Sequence, residues 1–302
     1  MASRFDRILL TGSGGFTGRP LAERLRSEGH EVIGLTRHPG EAGEVSGDLC
    51  DASWVRQVVA ATKPTAALHL AGITTTLHAD IGEVYSVNVV GTVNLLAALA
   101  ALPSKPRLVV IASSATVYAA PRGEEPVDEE FPLVPNTHYA VSKRTIEDIG
   151  RLYQDRLPIV ITRPFNYTGP GQSTTFLVPK IVDHFVRKAS EIELGNLDLF
   201  RDISDVERVV EVYARIVSSG IEPTTMNVCS GRTILLRDII SQMQDISGHR
   251  IKLVQNPSLM RDNEARTVRG STTRLERLLG SLPNPDFGAT LRRMYQAGRS
   301  QR

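Results

Sequence analysis

Three side chains of the sequence have the types and spacing of a carbonyl-reducing site. Tyr139 and Lys143 are four residues apart in a stretch with a helical pattern, so both side chains project from one face of the helix. An ammonium group beside a phenol lowers the pKa of the phenol, which then acts as a general acid or base on a carbonyl or carbinol. Ser114 follows a strand-like run and can hold a carbonyl oxygen. The same Tyr–Lys spacing also occurs on ordinary helix surfaces, and the serine favours the catalytic interpretation.

A glycine-rich loop near the N-terminus is typical of a dinucleotide site. Residues 11–18 read TGSGGFTG, between an apolar run and a helical pattern. Gly12 turns the chain, Gly15 lets backbone N–H groups approach a pyrophosphate, and Gly18 lets the helix pack on the strand. The helix N-terminus adds unpaired donors and a partial positive charge. The loop therefore predicts nucleotide binding.

The elements around these motifs predict an α/β fold. The expected strands are Arg7 to Leu10, Glu31 to Leu35, Ala66 to Leu70, Leu108 to Ala112 and Ile159 to Thr162. The expected helices are 19–28, 52–61, 83–101 and 137–155. This alternation predicts a Rossmann-type, doubly wound parallel sheet with a smaller, mixed α/β substrate-binding lobe.

The regular alternation ends after Arg163-Pro164. We expect a NAD(P)-binding domain of residues 1–163 and about 197–222, and a nucleotide-sugar-binding lobe of about 164–196 and 223–302. Within the returning segment, Arg201 to Asp205 is interpreted as a turn and Val206 to Ser218 as a helix.

Composition excludes several classes of partner. The 302 residues carry a formal net charge of +2 without long blocks of like charge, so neither nucleic acid nor a membrane surface is an expected partner. The N-terminal apolar run is too short for a secretory signal, and no stretch is interpreted as long enough to span a bilayer. Cys50 and Cys229 suit a reducing compartment, and the seven histidines lack metal-ligand spacing. We expect a cytoplasmic protein without a metal.

The chain resembles the extended short-chain dehydrogenase/reductases that act on nucleotide-sugars. The matching segments, in order, are TGSGGFTG, GDLCD, HLAG, VNVVGTVNLL, SSATVY, YAVSK, RPFNYTGPGQ and FRDISDVERVV. The resemblance implies that Ser114, Tyr139 and Lys143 are catalytic, and that Tyr139 donates a proton while hydride reaches the carbonyl carbon.

The loop and the resemblance together give the expected cofactor-binding residues. They are Gly12, Gly15, Phe16, Thr17, Gly18, Thr36, Arg37, Asp48, Leu49, Leu70, Ala71, Gly72, Asn88, Tyr139, Lys143 and Pro164. By resemblance, Asp48 and Leu49 bracket the adenine and Asn88 orders the active-site helix. The second strand ends Thr36-Arg37-His38, without the carboxylate that would bind a ribose 2′-hydroxyl. NADP(H) is therefore preferred, with Arg37 pairing with the 2′-phosphate, while NAD(H) stays open.

The second lobe supplies candidate groups for an anionic, hydroxyl-rich substrate. The expected substrate-binding residues are Ser114, Thr116, Asn166, Lys180, Asn196, Arg201, Arg261 and Glu264. The resemblance places Asn166, Arg201 and Arg261 at the diphosphate. Segments FLVPKIV and LGNLDLFRDISDV are similar to the GDP-mannose branch, in which Lys180 would lie near the guanine.

The expected reaction is reduction of the C4 ketone of a nucleotide-linked 4-keto-6-deoxyhexose. Dehydratases of the branch carry an acidic residue where this chain has Thr116, so dehydration is disfavoured. We predict an NADPH-preferring reductase converting GDP-4-keto-6-deoxy-D-mannose to GDP-D-rhamnose. An NAD-dependent nucleotide-sugar 4-epimerase and a non-catalytic dinucleotide-sensing regulator remain alternatives. The resemblance also implies a homodimer through a four-helix bundle of residues 83–101 and 137–155.

Overall fold

The secondary structure alternates strands and helices through the first half of the chain. The computed structural model describes residues 6–38, 40, 43–74, 80–260 and 264–300. The strands are β1 (Arg7–Thr11), β2 (Glu31–Thr36), β3 (Glu44–Ser46), β4 (Ala66–His69), β5 (Leu108–Ala112), β6 (Ile159–Pro164), β7 (Asn166–Thr168), β8 (Glu191–Leu194), β9 (Phe200–Asp205), β10 (Thr224–Val228), β11 (Thr233–Leu235), β12 (Lys252–Gln255) and β13 (Thr267–Val268). The helices are α1 (Gly18–Ser27), α2 (Ala52–Thr62), α3 (Ile81–Tyr85), α4 (Gly91–Ala101), α5 (His138–Leu152), α6 (Leu177–Val186), α7 (Val206–Ser219), α8 (Leu236–Ser247), α9 (Thr273–Leu279) and α10 (Phe287–Ser300).

A parallel sheet forms the centre of the molecule. Within the described ranges its strand order is β3-β2-β1-β4-β5-β6-β10, and every pairing is parallel. The inner strands are almost continuously apolar because helices cover both faces. Helices α1, α7 and α9 pack on one face, and α2, α4 and α5 on the other. The predicted Rossmann-type α/β fold is confirmed.

The smaller lobe is built on a mixed sheet. Strand β9 lies between β11 and β13, antiparallel to the first and parallel to the second, and also pairs with β7. Strands β8 and β12 form a separate parallel pair, and α6, α8 and α10 bury their apolar faces against these strands. The lobe therefore has its own core.

The segment Arg201 to Asp205 is a strand, and the interpretation of it as a turn was wrong. Its charged residues concealed the strand, because Asp202 faces inward and accepts hydrogen bonds from the backbone of Ser230, Gly231 and Gly270. Strand β9 thus lies in the lobe sheet, although it was expected in the first domain. Strand β10, expected in the lobe, completes the central sheet.

Helix α5 begins where the sequence specifies it. The Thr137 side chain accepts a hydrogen bond from Ala140 N at 3.1 Å and caps the first turn. On the same face of the sheet, α3 continues through one turn of π-helix, Ser86–Val90, into α4. These two helices bring Asn88, Tyr139 and Lys143 to the carboxyl edge of the sheet.

One helical segment is long and apolar enough to span a bilayer, although the sequence analysis predicted no such stretch. The continuous helical segment Ile81–Ala101 is long and apolar enough to cross a membrane by length and composition. Its inner residues Leu95, Leu96 and Leu99 are completely buried in the core. Packing on the sheet accounts for the apolar composition of this face.

Candidate active site

The glycine loop has the geometry of a dinucleotide cradle. Gly12 has φ +74°, and a Cβ there would lie 2.9 Å from Ala71 N. A Cβ on Gly18 would lie 2.0 Å from Gly12 O, so the start of α1 can approach the loop only without a side chain. Gly15 N closes the loop by donating to Gly12 O at 3.0 Å. The residues present therefore fit a pyrophosphate at the N-terminus of α1.

The three expected catalytic side chains converge beside this cradle. Ser114 ends the β5 segment and interacts with the Tyr139 hydroxyl. Lys143 Nζ lies 6.0 Å from the centre of the Tyr139 ring and donates to Ala112 O at 2.7 Å. Thr116 donates to Ser114 Oγ from its hydroxyl at 3.0 Å. The structure thus brings together groups that can hold and protonate a carbonyl oxygen.

Burial determines the ionisation of these groups. It raises the pKa of Tyr139 to about 12, and the Ser114 hydroxyl opposes this only in part. Burial lowers the pKa of Lys143 to about 8, opposed by the negative charge of Glu147. The pKa of Tyr139 thus lies above its ordinary value, whereas the sequence predicted a lowered one, because desolvation outweighs the Ser114 hydrogen bond. The phenol is consequently protonated at neutral pH and suited to donate a proton.

Asn88 connects the catalytic helix to the loop after β4. Its side-chain Oδ1 accepts from Ile73 N at 2.8 Å, and Nδ2 donates to Ile73 O at 3.1 Å and to Ser142 Oγ at 3.0 Å. Ser142 Oγ donates in turn to Tyr139 O at 2.7 Å. Asn88 therefore fixes the first turn of α5, which agrees with the ordering role expected for it.

His69 extends this network under the sheet edge. Thr92 donates its hydroxyl proton to Asn88 O at 2.5 Å, so it can only accept from His69 Nε2 at 2.8 Å. His69 Nδ1 must then accept from the Thr11 hydroxyl at 2.7 Å, while Thr11 accepts from Ala71 N at 3.1 Å. Every hydrogen bond in this network around His69 has a defined direction, and the network as a whole requires a neutral His69 imidazole.

A cavity of about 470 Å³ lies beside the end of β2. Thr36, Arg37 and His38 line it together with Ser13 and Glu44. The Arg37 guanidinium is half exposed and pairs with Glu83 at 2.8 Å. Ser13 Oγ donates to Glu44 at 2.6 Å. The predicted 2′-phosphate residues thus share one cavity wall, and Glu83 is the resting partner of Arg37.

The remaining expected cofactor residues line the carboxyl edge of the sheet. Asp48 is exposed and accepts from Cys50 N at 2.9 Å, and Leu49 packs under the start of α4. Leu70 N donates to Thr11 O at 3.3 Å. Pro164 ends β6 beside Val228 of β10. These positions surround the space above the glycine loop.

The expected substrate residues form two groups in the smaller lobe. Asn166 Nδ2 reaches Asp202 O at 3.4 Å, and Arg201 pairs with Glu264 at 3.0 Å, so these three flank β9. Lys180 Nζ donates to Glu193 O at 2.9 Å, and Asn196 caps the turn at Asp198. Arg261 lies outside the described residues. Arg266 joins the first group through its carbonyl, which accepts from Arg201 at 3.2 Å.

Several residues of this site were missed in the sequence. Tyr167 stacks on Phe16 with ring centres 5.9 Å apart, and its hydroxyl lies 2.9 Å from Thr17 Oγ1. Its position two residues before the GPG sequence gave no separate signal. Glu147 was also not predicted. It lies one helical turn after Lys143, and this four-residue spacing can be seen in the sequence.

Neither the histidines nor the acids form a metal site in the described part of the chain. No group of three or more His, Cys, Asp or Glu side chains there is close enough to hold an ion. Both cysteines are free, Cys229 being buried and Cys50 partly exposed.

Comparison with known proteins places this geometry in a family. Residues 8–229 match the model of the NAD dependent epimerase/dehydratase family. The chain is 34% identical to GDP-6-deoxy-D-talose 4-dehydrogenase of Aggregatibacter actinomycetemcomitans, over 91% of this chain and 92% of the relative. It is 31% identical to GDP-6-deoxy-D-mannose reductase of Pseudomonas aeruginosa, over 95% of each.

A solved structure extends the comparison to the whole fold. RMD from Pseudomonas aeruginosa, complexed with NADPH, superimposes with a TM-score of 0.87 at 30% identity, covering 100% of both chains. Sequence and fold therefore agree along the entire chain. The protein belongs to the NAD-dependent epimerase/dehydratase family, the extended branch of the short-chain dehydrogenases/reductases.

Proposed function

We propose that the protein is an NADPH-preferring reductase of the C4 ketone of a nucleotide-linked 4-keto-6-deoxyhexose. The preferred substrate is GDP-4-keto-6-deoxy-D-mannose and the product GDP-D-rhamnose. The observation that carries the proposal is the convergence of Ser114, Tyr139 and Lys143 beside the glycine cradle. Two relatives aligned over more than nine-tenths of this chain, named for the oxidation or reduction of GDP-6-deoxyhexoses, support the choice of sugar.

The residues have complementary roles in this reduction. The bound dihydronicotinamide supplies the hydride. Ser114 holds the ketone oxygen, and Tyr139 donates its proton to that oxygen as negative charge develops. Lys143 stabilises the phenolate that remains and holds the nicotinamide ribose. The ketone becomes a secondary alcohol, and the phenol regains its proton from solvent.

Asn166 and Arg201 are proposed to bind the diphosphate side of the substrate, and Glu264 to line the same part of the substrate site as the partner of Arg201. A guanidinium group forms strong paired hydrogen bonds with phosphate oxygens. In the structure the Glu264 carboxylate forms an ion pair with Arg201, so a diphosphate must displace this carboxylate to bind the guanidinium. Lys180 and Asn196 are proposed to contact the base. Arg261 completes the proposed set from sequence.

The stereochemistry at C4 defines a second candidate product. The Aggregatibacter relative is named for GDP-6-deoxy-D-talose, which differs from GDP-D-rhamnose only at C4. Both alcohols arise from the same ketone, depending on which face of the ring meets the hydride. GDP-6-deoxy-D-talose is thus the alternative product of the same site.

The 4-epimerase remains an alternative with a different requirement. An epimerase must first remove a proton from the C4 hydroxyl, which needs an ionised phenol. The expected preference for NADP(H) favours a net reductase, because a reductase exchanges its cofactor at every turnover, whereas an epimerase keeps its cofactor bound. A non-catalytic, dinucleotide-sensing regulator would not need Tyr139 and Lys143, and both are present.

The proposed enzyme is a cytoplasmic homodimer. The outer face of the helical segment Ile81–Ala101 exposes Val90 and Val93, and α5 exposes Val141 beside it. The first segment is thus apolar on the side that faces away from its core, while α5 presents Val141 together with the Arg144–Asp148 ion pair. A second copy packed there would complete a four-helix bundle.

The test is NADPH consumption by the purified protein with GDP-4-keto-6-deoxy-D-mannose. We expect a rapid loss of NADPH absorbance, slower turnover with NADH, and no turnover with GDP-mannose, which lacks the ketone. Proton NMR of the product distinguishes the two C4 configurations. Tightly retained NAD with no net oxidation of added NADPH would instead identify an epimerase. Binding of NADPH without turnover of any keto sugar would identify a regulator.

A further inference from the structure

The carboxylate of Glu147 is completely buried one helical turn beyond Lys143. It carries 0% exposure and forms a two-point ion pair with Arg163, which is 2% exposed. Arg163 Nε donates to Oε1 at 2.9 Å, and Nη2 donates to Oε2 at 2.7 Å. The two parallel hydrogen bonds hold the guanidinium and the carboxylate in one plane, so neither side chain can rotate independently of the other.

Arg163 is in turn held by the elements around it. Its Nη1 donates to the Tyr118 hydroxyl and to Glu129 O, each at 3.0 Å, and its cation lies 4.9 Å from the centre of the Tyr118 ring. Tyr118 donates to Asn227 Oδ1 at 2.7 Å. The ion pair is therefore anchored to β10 and to the turn after β5, far along the chain from α5.

Glu147 also touches the strand that carries the catalytic serine. Ser113, the neighbour of Ser114, donates its hydroxyl to Glu147 Oε1 at 2.6 Å, and the same hydroxyl lies 3.5 Å from Lys143 O. One carboxylate thus links the end of β5 to the helix of Tyr139 and Lys143. A change at Glu147 would shift Ser114 relative to the phenol.

Glu147 is also the negative charge that acts on Lys143. Tyr139, Lys143 and Glu147 recur every four residues and occupy one face of α5. Among the titratable groups around the ammonium, Tyr139 shares its helix, His69 faces it from β4 and is neutral, and Arg163 on β6 is neutralised by Glu147. Arg151 approaches the outer oxygen of Glu147 at 3.6 Å. The carboxylate raises the pKa of Lys143 against the effect of burial.

We propose that Glu147 is a positioning residue of the reductase site, whose carboxylate, held by Arg163, aligns α5 with the serine-bearing strand end and provides the buried counter-charge for Lys143. This inference rests on the proposed function for its kinetic readout. The Glu147 carboxylate thus has two separable roles: it aligns the helix with the strand end, and it supplies a negative charge to Lys143.

The charge role is tested by the pH profile of Glu147→Gln. Loss of the negative charge lowers the pKa of Lys143, so the basic limb of kcat/KM, on which the ammonium is lost, moves to lower pH. A purely structural carboxylate would not move this limb. Arg163→Lys is the matched control, because it keeps both charges and loses the two-point geometry. We expect it to lower kcat roughly 10- to 100-fold with the limb in place.

Glu147→Gln leaves the buried Arg163 without its ion-pair partner and is expected to lower the stability of the fold. A second variant that removes both charges is therefore needed as a folded control. Glu147→Met combined with Arg163→Met removes both buried charges together, a replacement that proteins often tolerate. The limb should move in the same direction in this double variant, but by less than in Glu147→Gln, because the Arg163 cation is removed together with the carboxylate. A wild-type profile and a kcat within about twofold of wild type in this double variant would overturn the proposal.

A measurement of NADPH binding tests the counter-charge role of Glu147 without relying on the proposed substrate. Titrating NADPH fluorescence against pH measures where binding weakens as the Lys143 ammonium is lost. If the wild type fails to reduce the keto sugar, the proposed function fails, while a lower pH for this weakening in Glu147→Gln still supports the counter-charge role. An unchanged binding profile would contradict that role.

Discussion

At the scale of single residues, the proposed reduction depends on the phenol of Tyr139 as the proton donor. With its pKa raised to about 12, the side chain holds the proton that a reduced ketone must receive. Tyr139→Phe removes that proton and little volume. We expect kcat to fall by roughly 10²- to 10⁴-fold. The dissociation constant of NADPH should stay near the wild-type value in a fluorescence titration, and near-normal turnover would reject Tyr139 as the acid.

Arg37 is the residue on which the proposed preference for NADP(H) depends. It lines the cavity at the end of β2 and needs only to leave the half-buried Glu83 to meet a 2′-phosphate. Arg37→Ala should weaken NADPH binding roughly 10-fold, the loss of one charge-assisted hydrogen bond. NADH, which lacks the phosphate, is the internal control and should bind unchanged. An equal loss for both cofactors would contradict a phosphate contact.

Candidate site residues could be named from the sequence where the signal was local. Tyr139 and Lys143 share a helix face, and Ser114 ends a strand, so neighbouring residues in the sequence indicated both. Glu147 and Arg163, by contrast, meet across 16 positions, and Arg163 continues to Glu129 over 34. Contacts of that kind depend on the order of strands in the sheet, which one sequence does not reveal. The roles of the individual site residues stay predictions until variants are measured.

At the scale of elements, the contact between α1 and the glycine loop can be tested directly. Gly18→Ala places a methyl group 2.0 Å from Gly12 O, and this backbone oxygen cannot rotate aside as the end of a flexible side chain could. We expect a loss of about 1–3 kcal/mol in the free energy of unfolding, with weaker NADPH binding. Gly123→Ala is the control, since a Cβ there has nothing within 4 Å. Equal effects of the two substitutions would show that the loop is not tightly packed.

Element prediction was reliable for the buried strands and failed for the polar one. Strands β1, β4, β5 and β6 are apolar runs that only a covered sheet explains. Strand β9 contains Arg201, Asp202 and Asp205, whose charges are satisfied by partners from later in the chain. The π-turn at Asn88 also had no sequence signal, because it differs from an α-helix by one hydrogen-bond step.

At the scale of the whole molecule, the neutral state of His69 sets the response to acid. Burial lowers its pKa from 6.5 to about 3. Between these values the unfolded chain binds a proton that the folded chain excludes, so the free energy of unfolding falls as pH drops from 6.5 toward 3. Denaturation midpoints measured across this range should fall less steeply in His69→Gln. Parallel curves for the two proteins would assign the acid sensitivity to other groups.

The proposed dimer makes a separate prediction about size. Val93→Glu puts a charge on the apolar outer face of α4, where a partner copy would bury it without compensation. We expect light scattering to report a monomer for this variant and a dimer for the wild type. Leu259→Glu, exposed in the smaller lobe, is the control and should remain dimeric. A monomeric wild type would refute the bundle.

In the proposed reductase, the stacking of Tyr167 on Phe16 would couple the binding of the two ligands. Tyr167 is the neighbour of Asn166, a proposed substrate residue, while Phe16 and Thr17 belong to the glycine loop. A dinucleotide that ordered this loop would therefore also order the residues next to Asn166. Because such linkage is reciprocal, the factor by which NADPH tightens the sugar nucleotide must equal the factor by which the sugar nucleotide tightens NADPH.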